Sequence, residues 1–432
     1  MSLFSSQQLH TRYIDPVHHD ANIVEFQLDN DTGYASSLRI IGLGTHRANG
    51  DEYADPVGVL GKIRAIHLES NGQKIDSLRQ ANRYLAFKNS LKSNEQQNSL
   101  VHKDNQSAMG MIVKSTAQAL DPRARTACVN STDTAANREA TLGQINLADV
   151  FPILREMAHI DTNVLRNVKV RIEYETKAEN LVTSRVTTAS ASDPVPVLVA
   201  DQFQSNEDVA KMTKAMGSIV WNTIEHDQFR VDEIPNQATN VKLSVETSKK
   251  LMGFNNKYVS RMIVLKENAT KTRDLSGTDV VGFGNYASQA QFEEKFNCRL
   301  NGKNIFVGSG LDTPAKMTAM CSDAWGASVM TAGDDSTSLG VNDQNNNVVV
   351  ERSHGARPIV GNKMNDRVGQ QSRIGFHVED MVKDMQIDYS RTGMSDTNAR
   401  FRYNTPLNLH FYAEVRKALV MKGGKFMVTY SA

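Results

Sequence analysis

The chain has 432 residues, 40% hydrophobic and 22% charged, and its 49 basic and 48 acidic side chains leave a net charge of +1. This is the composition of an ordinary soluble globular protein and excludes a disordered or fibrous chain. Near-neutrality with no block of like charge also excludes a strongly cationic nucleic-acid binder, and the length predicts two domains of roughly 200 residues each.

The opening, MSLFSSQQLHTRYID, lacks the basic and apolar regions of a secretory signal, so the chain is expected to be made in the cytosol. Arg12 is the only Arg or Lys among the first thirty residues, too few cations for an arm that displaces counterions from phosphates. His18-His19-Asp20 reads as surface histidines, because adjacent residues of a strand point apart and no second ligand cluster stands nearby. Val24, Phe26 and Leu28 then alternate with polar residues as a strand. A turn over Asp29 to Gly33 and a second strand, Leu38 to Leu43, are expected to follow. Another strand, KIRAIHLES, ends at Asn71-Gly72, a tight hairpin signal. Beyond it, Asp76 is expected to cap a helix packing through Leu78, Ala81, Tyr84 and Leu85.

The segment Leu147 to Glu175 is the most informative. Val150, Phe151, Ile153, Leu154 and Met157 make an apolar stripe at helical spacing, with Pro152 tolerable only near the first turn. Val168, Val170, Ile172 and Tyr174 then alternate strictly with Lys169, Arg171 and Glu173, the pattern of a half-buried strand. TSRVTTASASDPVPVLVA, with Pro194 and Pro196, reads as an extended connection, which puts the domain boundary near residue 190.

Beyond it, SNEDVAKMTKAMGSI predicts a helix capped by Ser205 or Asn206, with Val209, Met212 and Met216 on one face. FEEKFNCRLNGK places Phe296, Cys298 and Leu300 in alternation before Asn301-Gly302, an echo of the Asn71-Gly72 hairpin that points to duplication. A helix is expected from Thr313-Pro314, with Met317, Met320 and Cys321 as core. At the C-terminus, Leu407, Leu409, Phe411, Ala413 and Val415 alternate, a Gly423-Gly424 turn follows, and Phe426, Val428 and Tyr430 form a last strand. Asp121 to Gly143 and Gly333 to Asn347 read as long surface loops.

These closing segments and the Asn71 region resemble the double jelly-roll major capsid proteins of tailless icosahedral double-stranded DNA viruses, a group that includes virophages and nucleocytoplasmic large DNA viruses. The resemblance implies an all-β fold of two consecutive eight-stranded antiparallel jelly rolls with short helices, divided here as 1–190 and 191–432. It further implies a homotrimeric capsomer with pseudo-hexagonal outline in a virion. The expected partners are further copies of the chain, penton or minor capsid proteins, and an internal membrane beneath the shell that this chain does not span. The two long loops would rise on the outer face or clasp neighbours.

The search for chemistry yields no catalytic, cofactor-binding or metal-binding residues. Gly282 to Ala287 matches a dinucleotide fingerprint in letters but lacks the strand-turn-helix context. Glu293-Glu294 and Asp334-Asp335 read as solvated charges, since an acid and a base must face each other across a bond. Cys128, Cys298 and Cys321 are odd in number and widely spaced, which fits neither a disulfide framework nor a zinc site. No apolar run approaches the length of a membrane span. Two alternatives stay open: an enzyme or binding protein for carbohydrates built on paired jelly rolls, and a minor or penton capsid component.

Overall fold

The computed structural model describes residues 9–43, 46–47, 58–90, 129–130, 143–176, 195–215, 217–234, 242–269, 293–325, 339–342, 348–350, 374–394, 406–422 and 425–430. The first half supplies β1 (Leu9–Ile14), β2 (His18–His19), β3 (Ile23–Gln27), β4 (Gly33–Ala35), β5 (Arg39–Leu43), β6 (His46–Arg47) and β7 (Ile63–Ser70). It continues with β8 (Gln73–Arg79), β9 (Val129–Asn130), β10 (Gly143–Asn146), β11 (His159–Asp161), β12 (Lys169–Tyr174) and β13 (Val197–Phe203). One sheet runs β2-β3-β12-β7-β8 and the other β10-β5-β13-β4-β11, with β1 added along β13. β3 and β5 lie in different sheets, so the turn between Asp29 and Gly33 carries the chain across the sandwich.

Alternation on β12 sets the register. Val170 pairs with Phe26 and Leu68, and Ile172 with Val24 and Ile66, all on the buried face. Lys169 on the other face reaches Glu25 at 2.6 Å. A slip of one residue would drive Lys169, Arg171 and Glu173 into the core. The apolar stripe before β12 is buried as expected, but its helical part is short: a 3-10 turn, Leu147–Asp149, then one turn of helix, Ile153–Glu156.

Asn71 and Gly72 hold φ of 49° and 76°, and Asn301 and Gly302 hold 50° and 82°. Positive φ at both central residues is what a two-residue hairpin between right-twisted strands requires. The echo is therefore one of geometry as well as of letters. After the first of these turns the structure departs from expectation. Asp76 does not cap a helix; it lies inside β8, paired opposite Leu68. The helix starts five residues later, Ala81–Ser90, after Gln80 has turned the chain at φ 49°. Strand pairing with β7 outcompetes the local helix signal.

The second half supplies β14 (Ile219–Val231), β15 (Lys242–Lys250), β16 (Lys257–Asn268), β17 (Glu293–Leu300), β18 (Lys303–Asn304), β19 (Leu339–Asn342) and β20 (Val348–Val350). β21 (Ile374–Val382), β22 (Met385–Met394), β23 (Leu407–Lys422) and β24 (Lys425–Tyr430) follow. β14-β23-β16-β21, with β24 along β23, faces β15-β22-β17-β18. β14, β15, β16 and β17 alternate between the two sheets in chain order, and so do β21, β22 and β23. That wrapping is the jelly-roll path. Phe296, Cys298, Phe376, Leu409 and Phe411 fill the space between the sheets, with the Phe296 and Phe376 rings 5.8 Å apart.

Two helices are placed as expected. Asn206–Ala215 follows Ser205, whose hydroxyl accepts from the Asp208 amide at 3.3 Å. Pro314–Trp325 follows Thr313, whose hydroxyl accepts from Lys316 at 3.3 Å and whose helix buries Met317 and Cys321.

β13 pairs with β1, β4 and β5, so the strand after the proline-rich connection belongs to a sheet of the first half. The helix that follows packs there too, with Val209 so close to Gly33 that a Cβ on Gly33 would lie 2.4 Å from it. Most of the two long loops lies outside the described residues, as do Gly282 to Ala287, Asp334-Asp335, Gly423-Gly424, Cys128 and Met216. β19, inside the second loop, pairs antiparallel with β20, which begins just past its end at Val348.

Candidate functional site at the seam between the two units

The residue sets with chemical potential resolve into structural roles. His18 lies on the surface, 3.0 Å from Asp20, and among the described residues no group of His, Cys, Asp and Glu could hold a metal ion. Glu294 is not solvated, contrary to expectation. It is 1% exposed and receives Lys266 Nζ at 2.7 and 2.9 Å and the Tyr389 hydroxyl at 2.7 Å. The pair links β16 in one sheet to β17 in the other, with its carboxylate oxygens occupied from within. Cys298 is buried, which pushes its thiol up to about 12 and keeps it unreactive.

One array has the letters of a catalytic triad. His159 Nε2 lies 2.8 Å from Thr213 Oγ1, which donates to Asp161 at 2.7 Å. Imidazole and carboxylate meet on the same hydroxyl, whereas a triad places the imidazole between the two. All three residues are buried, and they tie the helix Asn206–Ala215 to β11.

A convergence of polar and aromatic groups lies where the two units meet. Asp76, 1% exposed, accepts from Trp221 Nε1 at 3.2 Å and from Thr223 Oγ1 at 2.5 Å, both on β14. Burial pushes its carboxyl up to about 6, against the pull of Lys417 and of these hydrogen bonds. The Tyr412 hydroxyl on β23 donates to the Gln80 carbonyl at 2.8 Å. Around that bond Tyr84 lies 5.3 Å from Tyr412, and Phe87 meets Trp325 edge-on at 5.4 Å. Arg261 stacks over Trp325 at 4.3 Å, whose indole nitrogen donates to the Met262 carbonyl at 3.0 Å. Nearby, Glu225 receives Lys257, Lys417 at 3.1 Å and the Tyr430 hydroxyl at 2.7 Å. Burial works against the Glu225 charge, but Lys417 and Lys257 outweigh it and hold the carboxyl below the ordinary glutamate range.

One hydrophobic cluster runs through this seam, from Ile66 and Phe151 in the first unit to Trp221, Ile263 and Tyr412 in the second. β23 is consequently buried on both faces: Leu409, Phe411 and Ala413 toward its own roll, Tyr412 toward the other unit. Sequence reasoning missed these seam residues. The signal was present in the run Leu409-His410-Phe411-Tyr412-Ala413, whose aromatic Tyr412 stands where the alternation of a half-exposed strand calls for a polar residue.

No family model matches the sequence, and no curated protein matches it. Solved structures do match. The PBCV-1 virus capsid aligns with a TM-score of 0.51 at 12% identity, covering 99% of this chain and 98% of that one. The mavirus major capsid protein aligns with a TM-score of 0.51 at 11% identity over 100% of this chain and 91% of its own. The fold is a double jelly roll. The Sputnik virophage structure shares it, with a TM-score of 0.50 at 8% identity over 98% of this chain and 88% of that one. The match spans both rolls of the double jelly roll.

Proposed function

We propose that this chain is a viral major capsid protein whose rolls stand side by side, three chains forming a capsomer of pseudo-hexagonal outline that tiles an icosahedral shell. The observation that carries this reading is the end-to-end match to the PBCV-1 and mavirus capsid structures, over 99% and 100% of the chain. The seam supports it physically: three chains present six similar rolls in a fixed array only if the rolls of each chain cannot pivot. We place the division between the rolls near Gly217, since β13 and the helix Asn206–Ala215 pack with the first.

The partners in this reading are further copies of the chain and the penton or minor components that close a shell, with a membrane beneath the shell as an optional neighbour. Obligate contacts of this type bury above about 2,000 Å². Leu9, Tyr13 and Val17, exposed at 48%, 69% and 60%, lie on and just after the outer strand β1 and are candidates for such contacts. The shell is made in the host cytoplasm, and genome neutralisation is left to other components because the chain carries a net charge of only +1. Among the described residues no helix is long and apolar enough to cross a membrane.

The test is composition of purified particles. A major capsid protein dominates the protein mass of the particle and decorates its faces in averaged electron micrographs. A copy number confined to the vertices would replace this reading with that of a penton component.

A further inference from the structure

We propose that Asp76 is a proton-operated clasp between the two rolls, its carboxyl exchanging a proton with solvent while it is held by β14. The geometry is that of an interface: an acid on the first roll, 1% exposed, whose side-chain partners across the seam are Thr223 and Trp221 of the second. The backbone amide of Ser77 supplies one further donor at 2.9 Å. Thr223 suits both states of the clasp, since a hydroxyl donates to a carboxylate and accepts from a carboxylic acid. The charged surroundings come from several elements. Lys417 on β23 favours the ionised form. Lys417 is itself shared with Glu225 on β14, which also binds Lys257 of β16 and the Tyr430 hydroxyl of β24. On β7 the residue opposite is Leu68, with His67 and Glu69 opposite Ser77 and Lys74.

Burial favours the neutral acid, and the carboxyl titrates near pH 6, above its ordinary 3.8. The sign follows from linkage. A raised carboxyl binds its proton more tightly in the folded seam than in the unfolded chain. The clasp therefore holds best on the acid side and slackens as pH rises through about 6.

The readout is built in, because the chain has 2 tryptophans, both at this seam, and Trp221 donates to Asp76 itself. Tryptophan emission of the full-length chain would be recorded from acid to alkaline pH for the native protein, Asp76→Asn and Lys417→Gln. The expected result is a one-proton step near pH 6 that vanishes in Asp76→Asn and moves to higher pH in Lys417→Gln, which loses the favouring cation. A native protein without the step, or a step that survives in Asp76→Asn, overturns the proposal. Should Asp76→Asn fail to fold, Lys417→Gln decides: a step that does not move overturns it. The clasp lies within one chain, so its outcome is independent of whether the chain assembles.

Discussion

The hydroxyl of Tyr412 donates to the backbone carbonyl of Gln80 at 2.8 Å, joining positions 332 residues apart across the seam. Gln80 presents that carbonyl because its positive φ turns the chain from β8 into the following helix. Tyr412→Phe keeps the ring packed on Tyr84 and removes only the hydrogen bond, so it is expected to cost about 1 kcal/mol. Tyr412→Ala also opens a cavity and is expected to cost roughly 3–5 kcal/mol. Urea denaturation followed by tryptophan emission measures both, and equal losses would mean the ring contributes nothing to the seam.

Val170 and Lys169 are neighbours on β12 with opposite fates. Val170→Asp places a charge in a fully buried position between Phe26 and Leu68 and is expected to abolish soluble protein, as an unpaired buried charge costs several kcal/mol. Lys169→Asp sets a second acid beside Glu25 on the half-exposed face and is expected to cost no more than about 1 kcal/mol. Similar soluble yields and melting temperatures for the two variants would refute the strand register.

Lys266 and Glu294 are each 1% exposed. Removing one partner alone strands the other, so Lys266→Met and Glu294→Leu are each expected to destabilise by about 3–5 kcal/mol. The double variant is expected to recover most of that loss, because an apolar pair no longer carries a desolvation cost. A double-mutant cycle by calorimetry checks this; additive losses would show that the pair does not act as a unit.

Gly310 and Gly72 share a φ of 76° but not their surroundings. A Cβ on Gly310 would lie 2.6 Å from the Phe296 carbonyl oxygen, whereas one on Gly72 meets nothing within 4 Å. Gly72→Ala is expected to cost the left-handed strain alone, about 1–2 kcal/mol. Gly310→Ala is expected to cost more, since backbone must also move. Thermal melts of the two variants rank them directly, and the reverse order would contradict the close approach at Gly310.

Where one face of a strand meets solvent, its register could be read from the residues: Val168 to Tyr174 announces burial by alternation, and Asn71-Gly72 and Asn301-Gly302 announce their turns by the φ they tolerate. The seam could not be read in this way. An aspartate ahead of Leu78, Ala81 and Leu85 has the local signature of a helix cap, and only Trp221 and Thr223, 145 and 147 residues onward, reveal what Asp76 binds. Glu294 looked solvated beside Glu293 because its partner Lys266 approaches from the opposite sheet. Composition carries no information on which sheet receives the strand after the proline-rich segment, and β13 pairs with β1, β4 and β5.

Whether the chain is a trimeric shell subunit, as proposed, is decided most directly by the solution mass of the purified full-length chain from light scattering on a sizing column. The expected species has a mass of about 143 kDa, three times the 47.8 kDa chain, persists on dilution and shows a hexagonal outline in negative stain. A monomer of 47.8 kDa at every concentration tested would contradict it.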